Sequence, residues 1–103
     1  MNNEKLELEI IEKGLVAPRV TLQSIKDKIT EVEYVEFTTK SGKILRWCVL
    51  TMSNGFGVTG KPSCSASIEN DNEEIGKKVA YDNAFDNVWE LEGYALSEKL
   101  KRG

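Results

Sequence analysis

The first 29 residues place apolar side chains at helical spacing. Residues 3–13 hold three such side chains and end before Gly14, a typical helix stop. Residues 22–29 repeat the spacing after Thr21, whose hydroxyl suits the N-cap of a helix. The two stripes consist of Leu6, Ile10 and Ile11, and of Leu22, Ile25 and Ile29. This pattern predicts two short N-terminal helices joined by an extended link.

From residue 31 the side chains favour β-strands. Residues 31–38 are β-branched and aromatic, but their apolar positions change phase, so we expect either a bulge or a strand covered on both faces. Residues 44–52 form the strongest predicted strand, after a turn at residues 40–43. Ser53-Asn54-Gly55 predicts a type I′ hairpin leading to a further strand at residues 56–60. The expected sheet is a small antiparallel meander of three or four strands.

The last part of the chain is a polar loop followed by a long helical pattern. The loop covers residues 61–72, and one of residues 70–72 is expected to cap the helix. The apolar stripe of this helix comprises Tyr81, Ala84, Val88, Leu91 and Ala95. Running to about residue 101, it would reach roughly 40 Å. We therefore expect either a break near Gly93 or a second chain that covers part of the helix.

The composition agrees with a single α+β domain over residues 1–103. The chain has 17 acidic and 14 basic residues, and 40% of its residues are apolar. It contains no run of about 18 apolar residues, so no membrane span is expected, and its acidic start differs from a signal peptide. The net charge of −3 disfavours broad binding of DNA or RNA, which needs a basic face. We expect a cytoplasmic protein without DNA, RNA or membrane partners.

Few residues suit catalysis or metal binding. The chain has no histidine, and its two cysteines cannot form a tetrahedral zinc site alone. Cys48 is expected to be a buried strand thiol, and Cys64 a loop thiol with better access. Asp82 and Asp86 could flank a cation, but such a pair more often lies on a solvated helix surface. We predict no catalytic residue, no metal and no cofactor.

One face of the long helix carries small residues first and polar residues further along the chain. Gly76, Ala80, Asn83 and Asn87 share this face by their spacing. The face either packs against another helix, across a dimer, or lines a ligand site. In a ligand site, the Asn83 amide would donate and accept hydrogen bonds, which suits ribose hydroxyls or a base edge.

Two arginines and one phenylalanine are further candidates. Arg46 lies in mid-strand among apolar neighbours, so its head either stays in solvent at a sheet rim or points into a pocket that takes an anion. Arg19 follows a proline and is expected to be held in place. Phe56 stands beside two glycines and is either a core residue or a plate for stacking a flat ring.

Several short blocks stand in a characteristic order and spacing. They are Glu12-Lys13-Gly14, Ala17-Pro18-Arg19-Val20-Thr21, Asn54-Gly55-Phe56 with Val58, Gly60 and Cys64, residues 75–84, Trp89, and Leu91-Glu92-Gly93-Tyr94. Together they resemble the small phage protein family named after gene products 49 and 66, over nearly the whole chain. Within or near that family, the pattern is similar to the Thoeris anti-defence sponge proteins of the first type.

This resemblance implies a function and a set of partners. The sponge proteins combine an antiparallel sheet with C-terminal helices and assemble as dimers and larger oligomers. They bind cyclic ADP-ribose isomers made by bacterial TIR enzymes and sequester them uncleaved, and some hold cyclic trinucleotides at a separate site. By resemblance, this chain would be a homo-oligomer in the host bacterial cytoplasm that sequesters a cyclic nucleotide.

The resemblance also implies ligand-binding residues. The matching positions and implied contacts are Arg19 for phosphate or ribose, Arg46 for ligand coordination, Asn83 for ribose, and Arg102 for adenine or pyrophosphate. Where relatives often carry a phenylalanine before the long helix, this chain has Asp71. Either Phe56 or Tyr81 would then stack on adenine in its place, or the pocket is altered.

Two other functions compete with the sponge interpretation. The chain could be an interaction module that docks on a host protein through its long helix and loop. It could also be an enzyme that degrades the same nucleotides, with only carboxylates, tyrosines or Cys64 available as a base.

Overall fold

Helices flank a three-stranded sheet in the fold, which the computed structural model describes for residues 3–15 and 17–103. The elements in chain order are α1 (Asn3–Glu12), α2 (Leu22–Lys28), β1 (Ile29–Thr38), β2 (Ile44–Met52), β3 (Gly57–Thr59), a short 3-10 helix (Ile68–Asn70) and α3 (Glu73–Arg102). The predicted α+β class, with short helices before the sheet and a long helix after it, is confirmed.

Local signals set the ends of the two N-terminal helices. α1 ends at Glu12, next to the predicted boundary. α2 begins at a capping box, in which the backbone N–H of Thr21 and of Ser24 each donates to the other's hydroxyl at 3.0 Å. Ile25 is buried as predicted, whereas Ile29 begins β1 instead of ending the helix. A branched side chain suits the extended backbone at that position.

The strands form an antiparallel sheet in the order β1-β2-β3. β2 has the predicted bounds and alternates buried with half-buried side chains. Over residues 31–38, β1 pairs with β2 in a regular register that places Glu36 opposite Arg46. The register shift lies earlier, between Ile29 and Glu31.

β1 is exposed on both faces, contrary to the prediction. Val32 and Tyr34 on one face and Val35 and Phe37 on the other are between 36% and 59% exposed. No bulge separates the two sets, because the register is regular there. The reason lies in the position of α3, which packs mainly against β2 and β3 and leaves the edge strand open.

The β2–β3 hairpin has a different turn type from the predicted one. The Met52 N–H donates to the Phe56 carbonyl, and the Gly55 N–H donates to the Met52 carbonyl, both at 2.8 Å. Gly55 has a φ of 87°, whereas Asn54 has no positive φ. A type I′ turn needs positive φ at both central residues, so the connection is a longer loop with glycine in the left-handed region. β3 accordingly begins at Gly57.

The core lies between α3 and the inner face of the sheet. Its buried residues come from α2, β2, β3 and α3, and they are Ile25, Cys48, Leu50, Met52, Val58, Ala80, Ala84, Phe85 and Val88. Two alanines in α3 let the helix approach the sheet closely. A Cβ atom on Gly60, just after β3, would lie 2.4 Å from the carbonyl carbon of Asn83. Only a glycine fits this contact between strand end and helix.

α3 runs unbroken over 30 residues, so the predicted break near Gly93 is wrong. Asn72 is the N-cap, and its Oδ1 accepts from the Ile75 N–H at 2.9 Å. The last turn carries basic side chains, which the helix dipole favours. The predicted stripe is buried at Ala84 and Val88, but Leu91 and the residues after it are largely open to solvent.

Candidate functional site

A groove follows the C-terminal half of α3, between that helix, α2 and the β2–β3 hairpin. It consists of two adjoining cavities of about 280 Å³ and about 230 Å³, which share Lys28, Glu92 and Ala95. We call it the α3 groove. The side chains that determine its chemistry are Arg19, Lys28, Phe56, Leu91, Glu92 and Lys99.

One end of the α3 groove is cationic. Arg19, Lys28 and Lys99 line this end together with the carboxylate of Glu92. Lys28 Nζ donates to Glu92 Oε2 at 2.8 Å, and Arg19 Nη1 donates to Glu7 Oε1 at 2.8 Å. Within residues 3–15 and 17–103, the ammonium group of Lys99 and the remaining guanidinium N–H groups of Arg19 have no partner. These donors are available to an anion.

The other end of the α3 groove is apolar. Met52, Val88 and Leu91 line it beside Phe56, which is 57% exposed. The Phe56 N–H donates to the Asn54 side-chain oxygen at 3.0 Å, which ties this residue to the turn. Phe56 is therefore no core residue, and its ring offers a surface on which a flat ligand can pack.

Arg46 lies at the opposite end of α3, in a cavity of about 220 Å³ beside the helix N-terminus. It is 4% exposed, so the predicted solvated head at a sheet rim is wrong. Its Nη1 and Nη2 donate to the Asp71 carboxylate at 2.8 and 2.9 Å, and its Nε donates to Glu36 at 2.5 Å. Arg46 points into a pocket, but the carboxylates of its own chain bind it there.

This ion pair shifts the pKa of both partners. Hydrogen bonding to Asp71 raises the pKa of the Arg46 guanidinium above its usual range. The same contact lowers the pKa of the Asp71 carboxyl below its usual range. Both groups therefore stay charged over the physiological pH range.

The small and polar face of α3 packs against its own chain. Asn83 Nδ2 donates to the Lys61 carbonyl at 3.0 Å, and Asn87 Nδ2 donates to the Thr59 carbonyl at 2.8 Å. The two amides thus satisfy carbonyl groups at and after the end of β3. Within the described chain this face therefore meets the end of β3 and not another helix, and packing across a dimer stays a prediction. The role of Asn83 in ligand binding stays a prediction.

The five predicted ligand residues do not come together at one site within a single chain. Arg19 and Phe56 lie in the α3 groove, at its two ends. Arg46, Asn83 and Arg102 lie outside that groove, and Arg102 is an exposed residue at the end of α3. A single chain therefore brings two of the five side chains into one groove.

Three charged residues of the groove were not among the predicted site residues. Glu92 and Lys99 flank Ala95 at helical spacing, so the sequence does place both on its side of the helix. Lys28 has no such signal, because its approach depends on the packing of α2 against α3. Its position beside Glu92 follows from tertiary structure alone.

The two free cysteines differ in burial. Burial raises the pKa of the Cys48 thiol and so keeps it protonated, while Cys64 is exposed and free. Burial also raises the pKa of Tyr34 and Tyr81.

Residues 3–15 and 17–103 hold no group of three or more histidine, cysteine or acidic side chains placed to bind a metal ion. Within the same ranges, no helix has the length and apolar character to cross a membrane.

The fold and the groove define a small α+β protein with a cationic and aromatic surface cleft. The chain belongs to the phage protein (N4 Gp49/phage Sf6 gene 66) family, whose model matches residues 20–100. This finding confirms the family predicted from the sequence blocks. The match includes the sheet and most of α3, while Arg19 and Arg102 lie just outside it. No curated protein and no solved structure matches the chain significantly.

Proposed function

We propose that this phage-family protein binds a small anionic nucleotide in the α3 groove and sequesters it without cleaving it. One observation carries the proposal: the groove joins a cationic end to an apolar end with an exposed phenylalanine. A nucleotide has the matching parts, because its phosphates attract arginine and lysine and its base packs on an aromatic ring. The combined size of the two cavities lies within the roughly 300–1,000 Å³ of small-molecule sites.

The proposed ligand is a cyclic nucleotide that serves as a bacterial immune signal. The resemblance to the Thoeris sponge proteins supports this class, with a cyclic ADP-ribose isomer first and cyclic di- or trinucleotides second. The protein would then act against host defence by lowering the free concentration of the signal. Its effect depends on affinity and on the amount of protein, since bound ligand is held rather than converted.

Binding without turnover agrees with the residues present. The chain has no histidine to act as a base. The buried Cys48 is kept protonated, and a thiol in that state is a poor nucleophile. The competing proposal of a nucleotide-degrading enzyme predicts product formation, which the same experiment measures.

The protein is also proposed to self-associate through β1. This strand is an edge of the sheet and exposes apolar side chains on both faces, and such edges favour strand pairing. In an antiparallel pair centred on Val35, Glu33 of one chain lies opposite Phe37 of the other, and Glu36 lies opposite Tyr34. No two glutamates face each other in this register, so charge repulsion does not oppose the pairing.

Calorimetric titration tests the proposed ligand. The purified protein is titrated with cyclic ADP-ribose isomers and with cyclic di- and trinucleotides, and the bound ligand is recovered after denaturation and analysed by chromatography. We expect one member to bind and to be recovered intact. Arg19→Gln is expected to weaken binding by about tenfold or more, because a charge-assisted contact to phosphate is lost.

Lys40→Gln is the matched control, since it removes one positive charge from the turn between β1 and β2. This control is expected to bind as the unaltered protein does. Equal losses in both variants would mean that net charge alone governs binding. A flat titration across the panel overturns the proposed ligand class, and recovery of altered ligand overturns sequestration without cleavage.

Light scattering after gel filtration tests self-association. The unaltered protein is expected to be an oligomer, and Val35→Lys is expected to reduce its mass, whereas Leu8→Lys on the exposed side of α1 is not. A monomeric unaltered protein contradicts the proposal. The open β1 strand would then fit the competing function, docking on a host protein.

A further inference from the structure

The carboxylate of Glu92 lies among the cations that line the α3 groove. Glu92 lines both cavities, so it stands where the cationic end with Arg19 and Lys99 meets the apolar end with Phe56. A carboxylate beside phosphate-binding cations repels a phosphate group. Recognition of phosphate alone therefore does not explain this residue, and its position needs a separate reason.

One oxygen of this carboxylate remains open to a ligand. Glu92 Oε2 accepts from Lys28 Nζ at 2.8 Å, whereas Oε1 accepts no hydrogen bond from residues 3–15 or 17–103. The side chain is only 18% exposed, so water solvates it in part. Such a carboxylate gains from a further donor, because an ionised acceptor forms the stronger hydrogen bonds. The pair with Lys28 accounts for Oε2 and leaves Oε1 for a donor on the ligand.

The space beside Glu92 is accessible from solvent. Ala95, which also lines both cavities, carries only a methyl group there. Leu91 is 47% exposed and the side chain of Lys28 is 52% exposed. A ligand therefore reaches the carboxylate without displacing a buried side chain.

The order of these groups along the groove matches the order of the parts of a nucleotide. In the proposed complex, the base packs on Phe56 and the phosphates meet Arg19 and Lys99. The ribose joins the two parts, so it comes to lie at the junction beside Glu92. In dinucleotide-binding folds, an acidic side chain accepts a hydrogen bond from the ribose 2′-hydroxyl. This hydroxyl also stays free when the 3′-oxygen is linked to phosphate.

We infer that Glu92 accepts a hydrogen bond from the ribose 2′-hydroxyl through Oε1, so that the α3 groove selects ribonucleotides over 2′-deoxyribonucleotides. This inference rests on the nucleotide binding proposed for the same groove. The negative charge of Glu92 also weakens the binding of phosphate compounds that carry no ribose. One residue thus favours the correct ligand and disfavours abundant small anions.

Calorimetric titration with matched pairs of nucleotides tests the inference. The pairs are ADP, cyclic ADP-ribose and cyclic di-AMP, each with its 2′-deoxy form, and pyrophosphate is the probe without ribose. The unaltered protein is expected to bind the ribo form about tenfold or more tightly, because the deoxy form lacks a hydrogen bond to a charged acceptor. In Glu92→Ala the two forms are expected to bind alike. Pyrophosphate is expected to bind this variant at least as tightly as the unaltered protein, since a repelling charge is gone.

Glu90→Ala is the matched control, because it removes one exposed carboxylate of α3 that does not line the groove. This control is expected to keep the preference for the ribo forms. A Glu92 that only holds Lys28 in place predicts another result for Glu92→Ala, in which both forms and pyrophosphate bind more weakly by the same factor. That result overturns the inference.

The preference of the unaltered protein is a measurement that needs no variant. Equal affinity within every pair that binds overturns this inference and leaves the proposed nucleotide binding in place. No binding by any pair overturns the proposed function and this inference with it. Circular dichroism checks folding. If Glu92→Ala does not fold, Glu92→Gln keeps the side-chain shape and is expected to lose most of the preference, because a neutral acceptor forms a weaker bond.

Discussion

The two ends of α3 border cavities of similar size, yet the arginines in these cavities differ in exposure and in the number of carboxylates that bind them. At the N-terminal end Arg46 is 4% exposed and bound by two carboxylates. At the C-terminal end the side chain of Arg19 is 27% exposed and bound by one. A buried charge must be paired, because leaving water is costly, whereas a half-exposed charge keeps donors for a ligand.

Burial of the apolar side chains of α3 also decreases from its N-terminal end to its C-terminal end. Ala80, Ala84, Phe85 and Val88 are buried against the sheet, and the stripe after Val88 borders an open groove. The part of α3 up to Val88 thus supports the fold, and the part after Val88 offers a surface. Matched substitutions in the two parts test this division.

The largest expected effect comes from the packed part. Val88→Ala is expected to lower the free energy of unfolding by about 2 kcal/mol, because it leaves a cavity at a fully buried position. Leu91→Ala, at a side chain that is 47% exposed, is expected to cost less than about 1 kcal/mol. Urea denaturation of both variants measures the difference. Equal losses would show that the two parts are packed alike.

Replacing each of two helical glycines by alanine is expected to change the free energy of unfolding in opposite directions. In Gly76→Ala the new Cβ meets the Arg46 guanidinium, which Asp71 holds in place, so we expect a loss of about 1 kcal/mol or more. In Gly93→Ala the new Cβ meets no atom within 4 Å, and the better helix former should add about 1 kcal/mol. Thermal unfolding reports both signs. A stabilised Gly76→Ala would contradict a tightly held Arg46.

The Arg46–Asp71 pair is expected to make stability depend on acid pH. The pKa of Asp71 is lower in the folded state than its usual value, so its contribution is present above that usual value and is lost as pH falls through the folded one. The loss is therefore expected below about pH 4. Asp71→Asn should be less stable at neutral pH and should lack this part of the acid dependence. Urea denaturation across the pH range compares the two proteins.

The smallest effect is expected at the exposed end. Lys28→Met removes the Lys28–Glu92 pair, whose lysine is about half exposed, and is expected to change the free energy of unfolding by less than about 1 kcal/mol. The same variant is expected to weaken nucleotide binding in the α3 groove. A large loss of stability instead would mean that this pair supports the fold as Arg46 does.

Short-range signals explain why most elements were predictable. The Thr21 hydroxyl caps α2, and the side-chain amide oxygen of Asn72, one of three predicted candidates, caps α3. Burial alternates along β2 because one face meets α3. Its bounds were predictable because a largely apolar run lies between two turn signals. The turn type at Asn54 was not predictable from the Asn-Gly signal, since the backbone there forms a longer loop.

The candidate site was predictable only in part. Arg19 and Phe56 stood out by residue type, and both lie in the α3 groove. The partner of Arg46 had no local signal, because Asp71 is 25 residues further along the chain in an irregular segment. The open edge of β1 was missed as well, since its composition does not say how far α3 reaches across the sheet.

The sequence by itself determined the helices, the strands, most of their ends and the family, because caps, spacing and blocks act between residues close in the chain. The tertiary structure decided which charges are neutralised and which remain free. Arg46 and Arg19 have the same guanidinium, and only the approach of distant carboxylates and the degree of burial distinguish them. Electrostatic interactions depend on distance in space and on exclusion of water, and the local sequence pattern determines neither of them.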